Sequence, residues 1–182
     1  MDIDGKKAIV FGGTSGIGLS ATQMLSDKGA HVIALSRNPD KLKNVPKNVT
    51  TKKMNVLDRD ALEKFFQEVG EYDILVNSAT GGARAVGPFL SMDLDGYRAS
   101  FDKLWGYTNV VRYGTKFLKD NGNIVLVSGS PARKCRPGQI AISSVGGAVE
   151  AFARGIAPEI APKRINIAVS YTHLRAHETS DY

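Results

Sequence analysis

The stretch KAIVFGGTSGIG, residues 7–18, decides the fold that we expect for this chain. Residues 8–11 are apolar and predict a buried strand, and the residues after the stretch have the apolar spacing of a helix. Between them, Gly12, Gly16 and Gly18 stand where a backbone turns tightly, approaches a phosphate and lets a helix pack against a strand. The helix N-terminus would offer free N–H groups to an anion. The pattern favours a dinucleotide-binding turn over a purely structural one.

Short apolar runs alternate with longer helical patterns along the rest of the chain. The predicted strands are residues 8–11, 31–35, 49–54, 74–77, 124–128 and 165–169. The predicted helices are residues 17–28, 59–69, 97–119 and 142–157, with Asp58 capping the second and Gly29 ending the first. Such alternation predicts an α/β fold, a doubly wound parallel sheet with helices on both faces. A ligand is then expected at the carboxyl ends of the strands, where the strand order reverses.

The composition indicates a globular protein and excludes several classes of partner. Of 182 residues, 42% are hydrophobic, and the net charge of +6 comes from scattered Lys and Arg residues rather than from a basic run. We therefore expect no nucleic-acid partner. Cys135 is the one cysteine, so neither a disulfide framework nor a cysteine metal site is expected. No signal peptide or membrane-spanning segment is recognisable, which predicts a cytoplasmic protein without a membrane partner.

Three ordered motifs carry a family resemblance over residues 1–170. The turn GGTSGIG at 12–18, the segment ILVNSAT at 74–80 and the segment AISSVGGAVEAFARGIAPEIAPKRIN at 141–166 resemble motifs of the short-chain dehydrogenase/reductase family. Phe11 replaces the usual Thr of the first motif, and Ser78 and Thr80 depart from the Asn-Asn-Ala-Gly pattern of the second. The resemblance implies a Rossmann-type domain that transfers a hydride between a nicotinamide cofactor and a small carbonyl compound or alcohol.

Thirteen residues are predicted to bind the cofactor, some from the glycine turn and others from the resemblance. They are Gly12, Thr14, Ser15, Gly16, Ile17, Gly18, Ser36, Arg37, Asn38, Asn55, Val56, Asn77 and Ala79. The end of the second strand favours NADP over NAD. An acidic residue there would bind the ribose 2′-hydroxyl, but the chain has Ser36-Arg37-Asn38, and a guanidinium can pair with a 2′-phosphate. A solvated surface arginine is the alternative interpretation.

The catalytic positions of the resembled family are not kept. The family uses a Tyr as proton donor, a Lys four residues later, a Ser and an Asn. An ungapped alignment places Ile142 and Gly146 at the Tyr and Lys positions, Gly129 at the Ser position, and Lys103 near the Asn position. We therefore assign no catalytic residue.

Three explanations remain open at this point. In the first, the chain is a cofactor-binding sensor or interaction module that has lost the family's chemistry. In the second, displaced groups perform that chemistry, namely Lys103 with Ser128, Ser130 or Ser143. In the third, the alignment is shifted. The last is disfavoured because none of Tyr107, Tyr113 and Tyr171 is followed by Lys at the fourth position. Lys103 is also readily interpreted as a solvated helix residue. Arg84, in the loop 80–88, would suit an acidic substrate, although a flexible surface loop is the simpler interpretation.

The last residues do not continue the family pattern. Residues 171–182 are polar and lack the expected Pro-Gly turn, so we predict a C-terminally truncated domain over 1–170 followed by a non-native tail. His173 and His177 lie four apart in this tail, but with no third ligand evident we assign no metal site. The resemblance also implies a homo-oligomer formed through the helices 97–119 and 142–157.

Overall fold

The computed structural model describes residues 2–80 and 82–171, and for Lys41 it describes the backbone only. Within these residues six strands form one parallel sheet: β1 (Lys7–Phe11), β2 (His31–Ser36), β3 (Val49–Lys53), β4 (Tyr72–Asn77), β5 (Leu118–Gly129) and β6 (Arg164–Ser170). Their order is β3-β2-β1-β4-β5-β6, which reverses direction between β1 and β4. Residues 172–182, with His173, His177 and nearly all of the predicted tail, lie outside the described residues.

Helices cover both faces of the sheet and bury its apolar side chains. They are α1 (Gly16–Asp27), α2 (Arg59–Val69), α3 (Leu94–Ser100), α4 (Asp102–Gly114) and α5 (Ile140–Ile156). Helix α1 packs over one face, where Val10 and Val32 are buried, and helices α2, α4 and α5 pack over the other, where Phe11 and Leu35 are buried. Burying each such side chain contributes roughly 1.5–3 kcal/mol to stability. The predicted doubly wound α/β fold is confirmed.

The predicted helix over 97–119 is wrong at both ends and in the middle. Helix α3 already begins at Leu94 because Asp93 accepts hydrogen bonds from the amides of Asp95 and Gly96. Phe101 separates α3 from α4, and α4 ends at Gly114.

Tertiary packing explains the early end of α4. A Cβ atom at Gly114 would lie 2.7 Å from Cζ of Phe66, and the hydroxyl of Tyr72 donates a hydrogen bond of 2.9 Å to the Gly114 carbonyl. Buried Leu118 then pairs with Tyr72 on β4, so β5 begins six residues before the predicted strand 124–128. The other predicted boundaries differ from the observed ones by no more than two residues. Asp58 caps α2 as predicted, since its carboxylate accepts the Ala61 N–H at 3.0 Å.

Within the described residues, none of the helices is both long enough and apolar enough to cross a bilayer. The same part of the chain contains no group of three His, Cys, Asp or Glu residues that could hold a metal ion.

Candidate functional site

One cleft of about 550 Å³ opens at the carboxyl ends of the strands. Every strand of the described sheet contributes a residue at or just after its last position: Gly12, Ser36, Met54, Ser78, Gly129 and Ser170. The cleft therefore lies where the sheet order reverses, which is where ligands bind in folds of this architecture.

The glycine-rich turn forms the floor of the cleft. Gly12 and Gly16 have φ angles of 75° and 51°, which side-chain-bearing residues rarely adopt. A Cβ atom on Gly18 would overlap the carbonyl oxygen of Gly12 and Oγ of Ser78. Helix α1 can start this close to β1 only because position 18 lacks a side chain. The turn is thus required by the backbone path and the packing of this chain.

The N-terminus of α1 faces the cleft without a capping side chain. Ser15 is the N-cap residue, yet its hydroxyl makes no capping hydrogen bond. A Cβ atom on Gly16 would meet no heavy atom within 4 Å among the described residues, so this backbone borders open space. Free N–H groups at the positive end of a helix dipole are suited to a phosphate. This open cradle matches the needs of a dinucleotide's pyrophosphate.

Most residues predicted to bind the cofactor line this cleft. Those that do are Gly12, Ser15, Gly16, Ile17, Gly18, Ser36, Arg37, Asn55, Val56 and Ala79. Thr14, Asn38 and Asn77 lie outside the lining. Thr14 is buried and its hydroxyl donates a 2.7 Å hydrogen bond to Oγ of Ser36, which joins the turn to the end of β2. Asn77 is buried and its Oδ1 accepts the Ala79 N–H at 3.1 Å.

The charged side chains that line the cleft are all cationic. They belong to Arg37, Arg84 and Lys103, and no Asp or Glu is present in the lining among the described residues. Arg37 follows β2, whereas Arg84 follows β4 and Lys103 lies on α4. The topology therefore places one cation on one side of β1 and two on the other, and the cleft is electrostatically suited to an anionic ligand.

The four positions aligned with the family's catalytic groups come together in the same cleft. Lys103, Gly129, Ile142 and Gly146 all line it. Ile142 and Gly146 lie one turn apart on α5, so this part of the helix presents an apolar side chain and bare backbone. A Cβ atom on Gly146 would lie 2.8 Å from Cβ of Ala132, so a 3-10 turn occupies the space that a side chain would need.

Two of the groups considered for displaced chemistry line the cleft, and two do not. Ser128 is buried and its hydroxyl donates a long hydrogen bond of 3.5 Å to the Gly146 carbonyl. Ser130 and Ser143 lie outside the lining. Tyr107 is an unsuitable acid, because burial raises the pKa of its phenol and its hydroxyl donates to the Val127 carbonyl at 3.0 Å.

The environment of Lys103 makes its ammonium form less favourable than it is in water. Burial, and to a smaller extent the positive charge of Arg84, lower the pKa of Lys103 to about 8. Its Nζ lies 5.3 Å from the ring centroid of Tyr107, a contact that favours the charged form. The charged form of Lys103 is therefore less stable at the cleft than in water. This differs from the solvated helix lysine that was the simpler interpretation of the sequence.

Motif reasoning missed several lining residues, among them Met54, Ser100, Pro131 and Gln139. Met54 is the last residue of the predicted strand 49–54 and directly follows the observed β3, so its position at a strand end was a usable signal. Ser100 and Gln139 enter the cleft through the packing of α3 and α5, for which the local sequence carries no signal.

Comparison with known proteins agrees with this geometry. A family model described as short chain dehydrogenase matches residues 6–176. The chain is 28% identical over 174 residues to L-xylulose reductase of Mesocricetus auratus, which covers 92% of this chain and 70% of that protein. It is 30% identical over 181 residues to 3-oxoacyl-[acyl-carrier-protein] reductase FabG of Thermotoga maritima, with 92% and 73% covered. A short chain dehydrogenase from Burkholderia cenocepacia J2315 in complex with NADP superposes with a TM-score of 0.85 at 25% identity, covering 94% of this chain and 74% of the other.

Proposed function

Because this chain belongs to the short-chain dehydrogenase/reductase family, we propose that its cleft binds NADP(H), with hydride transfer to or from a small carbonyl compound or alcohol as the ancestral reaction. The observation that carries the proposal is the all-cationic lining, in which Arg37 occupies the place of an acidic residue that would favour NAD. The NADP complex of the relative from Burkholderia cenocepacia supports the same cofactor.

The described residues fit the cofactor's charged groups. The uncapped N-terminus of α1 would hold the pyrophosphate, and Arg37 with Ser36 would hold the 2′-phosphate. Asn55 and Val56 would contact the adenine, as the family resemblance implies. When bound, the nicotinamide supplies or accepts the hydride. The protein orients the cofactor and the substrate, and one of its side chains donates or accepts the proton.

Proton transfer in this cleft depends on Lys103. Ile142, at the family's tyrosine position, has no proton to donate, and Tyr107 is committed to the Val127 carbonyl. Nζ of Lys103, with a pKa near 8, can donate or accept a proton close to neutral pH. Ser128 lines the same cleft, and its buried hydroxyl could hydrogen-bond a substrate oxygen by giving up its long bond to the Gly146 carbonyl.

Arg37→Ala is expected to weaken NADPH binding by about 30- to 100-fold and to change NADH binding by less than about twofold. A charge-assisted hydrogen bond to a phosphate contributes roughly 2–3 kcal/mol, and NADH lacks that phosphate. Nucleotide fluorescence titrations of both cofactors measure the effect. Arg154→Ala, on the exposed side of α5, is the matched control. Equal losses for NADPH and NADH would contradict a contact with the 2′-phosphate.

A second candidate is a cofactor-binding module without turnover, which Ile142 and Gly146 in the cleft favour. NADPH consumption with a panel of aldehydes and ketones separates the two. Oxidation that is lost in Lys103→Met, with NADPH affinity retained, supports displaced chemistry. Saturable NADPH binding without oxidation of any substrate supports the module. If NADPH at millimolar concentration does not bind, both functions are wrong.

A further inference from the structure

We infer that Arg84 and Lys103 form a second anion subsite in the cleft, which takes the carboxylate or phosphate group of an acidic substrate. The inference rests on the proposed function, because the substrate's reacting carbon would lie beside a bound cofactor. The sequence motifs at this cleft predict contacts with the cofactor only, whereas the proposed subsite indicates the class of substrate.

Arg84 lies on a loop that hydrogen bonds hold in place. The amide of Ala85 donates to Oγ of Ser100 at 2.9 Å, and that hydroxyl donates to the Gly96 carbonyl at 2.9 Å. Two residues further along, the amide of Gly87 donates to the Gly138 carbonyl at 2.9 Å. The loop is thus tied to α3 on one side and to the segment before α5 on the other. The backbone next to Arg84 is therefore held by the fold, and the exposed side chain extends from this fixed backbone into the lining of the cleft.

The two cations have no acidic partner in the described part of the chain. No carboxylate oxygen there lies within 4.0 Å of the charged nitrogens of Arg84 or Lys103. Asp102, the neighbouring acid on α4, approaches Gly82, where an added Cβ would lie 2.8 Å from its Oδ2. Lys103 is half-buried, whereas Arg84 is exposed at the mouth of the cleft, and the charge of Arg84 disfavours the ammonium of Lys103. An anion bound to both side chains would relieve this repulsion.

Among the described residues, the elements around Lys103 contribute no acidic side chain to the lining of the cleft, because Asp102 approaches Gly82 and Glu150 on α5 pairs with Arg133. Helix α5 contributes Ile142, Val145 and Gly146 to the lining, and β5 contributes Val127, Ser128 and Gly129. Tyr107 on α4 contributes its ring face, and Arg84 is the cation that perturbs the pKa of Lys103. A bound anion is therefore the missing countercharge at this end of the cleft.

This subsite is separate from the cation proposed for the cofactor's 2′-phosphate. Arg37 follows β2, on one side of β1, whereas Arg84 follows β4 on the other side. One end of the cleft would hold the adenosine half of the cofactor, and the Arg84–Lys103 end would adjoin the substrate.

The test compares benzoate with benzamide, a neutral molecule of nearly the same shape, by calorimetric titration of the full chain with saturating NADPH and without it. At about pH 6.5, benzoate is expected to bind at least about tenfold more tightly than benzamide. Lys103→Gln and Arg84→Gln are each expected to weaken benzoate binding by about tenfold and to change NADPH affinity by less than about twofold. Arg154→Gln, on the exposed side of α5, is the control.

The pH dependence adds a readout that a merely structural role of Lys103 would not give. Because the pKa of Lys103 lies near 8, benzoate affinity should fall between about pH 7.5 and pH 9.5, while the affinity for benzamide stays constant. In Lys103→Arg, benzoate binding should persist and lose this pH dependence, since arginine stays protonated.

Three outcomes would overturn the subsite: equal affinities for benzoate and benzamide, unchanged benzoate affinity in both Gln variants, or a loss of NADPH affinity as large as that of benzoate. The last would mean that the two cations bind the cofactor. Failure of NADPH to bind the unmodified chain would overturn the proposed function instead, and the titrations without NADPH would still test the subsite.

Discussion

Gly18→Ala is expected to cost about 3 kcal/mol of folding stability and to weaken NADPH binding by 100-fold or more. The added Cβ would overlap the Gly12 carbonyl oxygen and Oγ of Ser78. Gly12 cannot easily move away, because its amide donates a 2.7 Å hydrogen bond to the Leu35 carbonyl. Overpacking at a site that cannot relax costs 1–3 kcal/mol or more. Displacing the start of α1 would also remove the N–H groups proposed to bind the pyrophosphate.

Urea unfolding and NADPH titration of the same variant check both parts of this expectation. Gly155→Ala is the matched control, because a Cβ on that helical glycine in α5 would meet open space among the described residues. Removing a helical glycine should stabilise the control by up to about 1 kcal/mol. If both alanine variants unfolded at the same urea concentration, the proposed collision would be wrong.

Gly146→Lys, which would place a lysine at the position that the ungapped alignment predicts for the family's lysine, is expected to destabilise the fold by about 2–3 kcal/mol. The new Cβ would lie 2.8 Å from Cβ of Ala132 and 3.3 Å from Oγ of Ser128. Ala132 belongs to the 3-10 turn Ser130–Ala132, which packs against α5. The strain therefore arises between two backbone segments and not from a flexible side-chain end.

Gly147→Lys provides a closely matched control, because the neighbouring position on the same helix meets open space among the described residues. Both substitutions gain the same helix propensity and add the same charge, so the difference in their urea midpoints isolates the collision. Ala132→Gly should recover most of the stability lost in Gly146→Lys. Similar midpoints for the two lysine variants would contradict the collision. We further expect Ile142→Tyr combined with Gly146→Lys to add no turnover to that of the unmodified chain unless Ala132 is also reduced to glycine.

Local sequence signals were sufficient for the parts of the fold that neighbouring residues determine. The glycine turn at 12–18 and the Asp58 cap were predicted because a required φ angle or a capping oxygen acts within a few residues. The break at Phe101 and the end of α4 at Gly114 were not predicted. Gly114 ends the helix against Phe66, a contact 48 positions away in sequence, and a local pattern carries no signal of it.

The candidate site also contains residues that the local sequence predicts and residues whose positions depend on tertiary packing. Residues next to strand ends, such as Ser36 and Arg37, were placed at the cleft from the alternation of strands and helices alone. The positions of Arg84 and Lys103 depend on how the loop 82–88 is tied to Ser100 and Gly138. These hydrogen bonds connect the loop to α3 and to the segment before α5, and the local sequence does not predict how these elements pack together. The cofactor roles of the lining residues, and those of Thr14, Asn38 and Asn77, stay predictions.

The cleft's lining runs from Phe11, at the end of β1, to Ser170, at the end of β6. No partly folded piece of this chain therefore possesses the whole site, and a molecule that fills it binds only the assembled sheet. By mass action, such a ligand at 100 times its dissociation constant adds about 2.7 kcal/mol to the free energy of unfolding. The measured melting temperature of this protein would then depend on cofactor supply as well as on its own contacts, and cofactor depletion would expose the whole domain to unfolding.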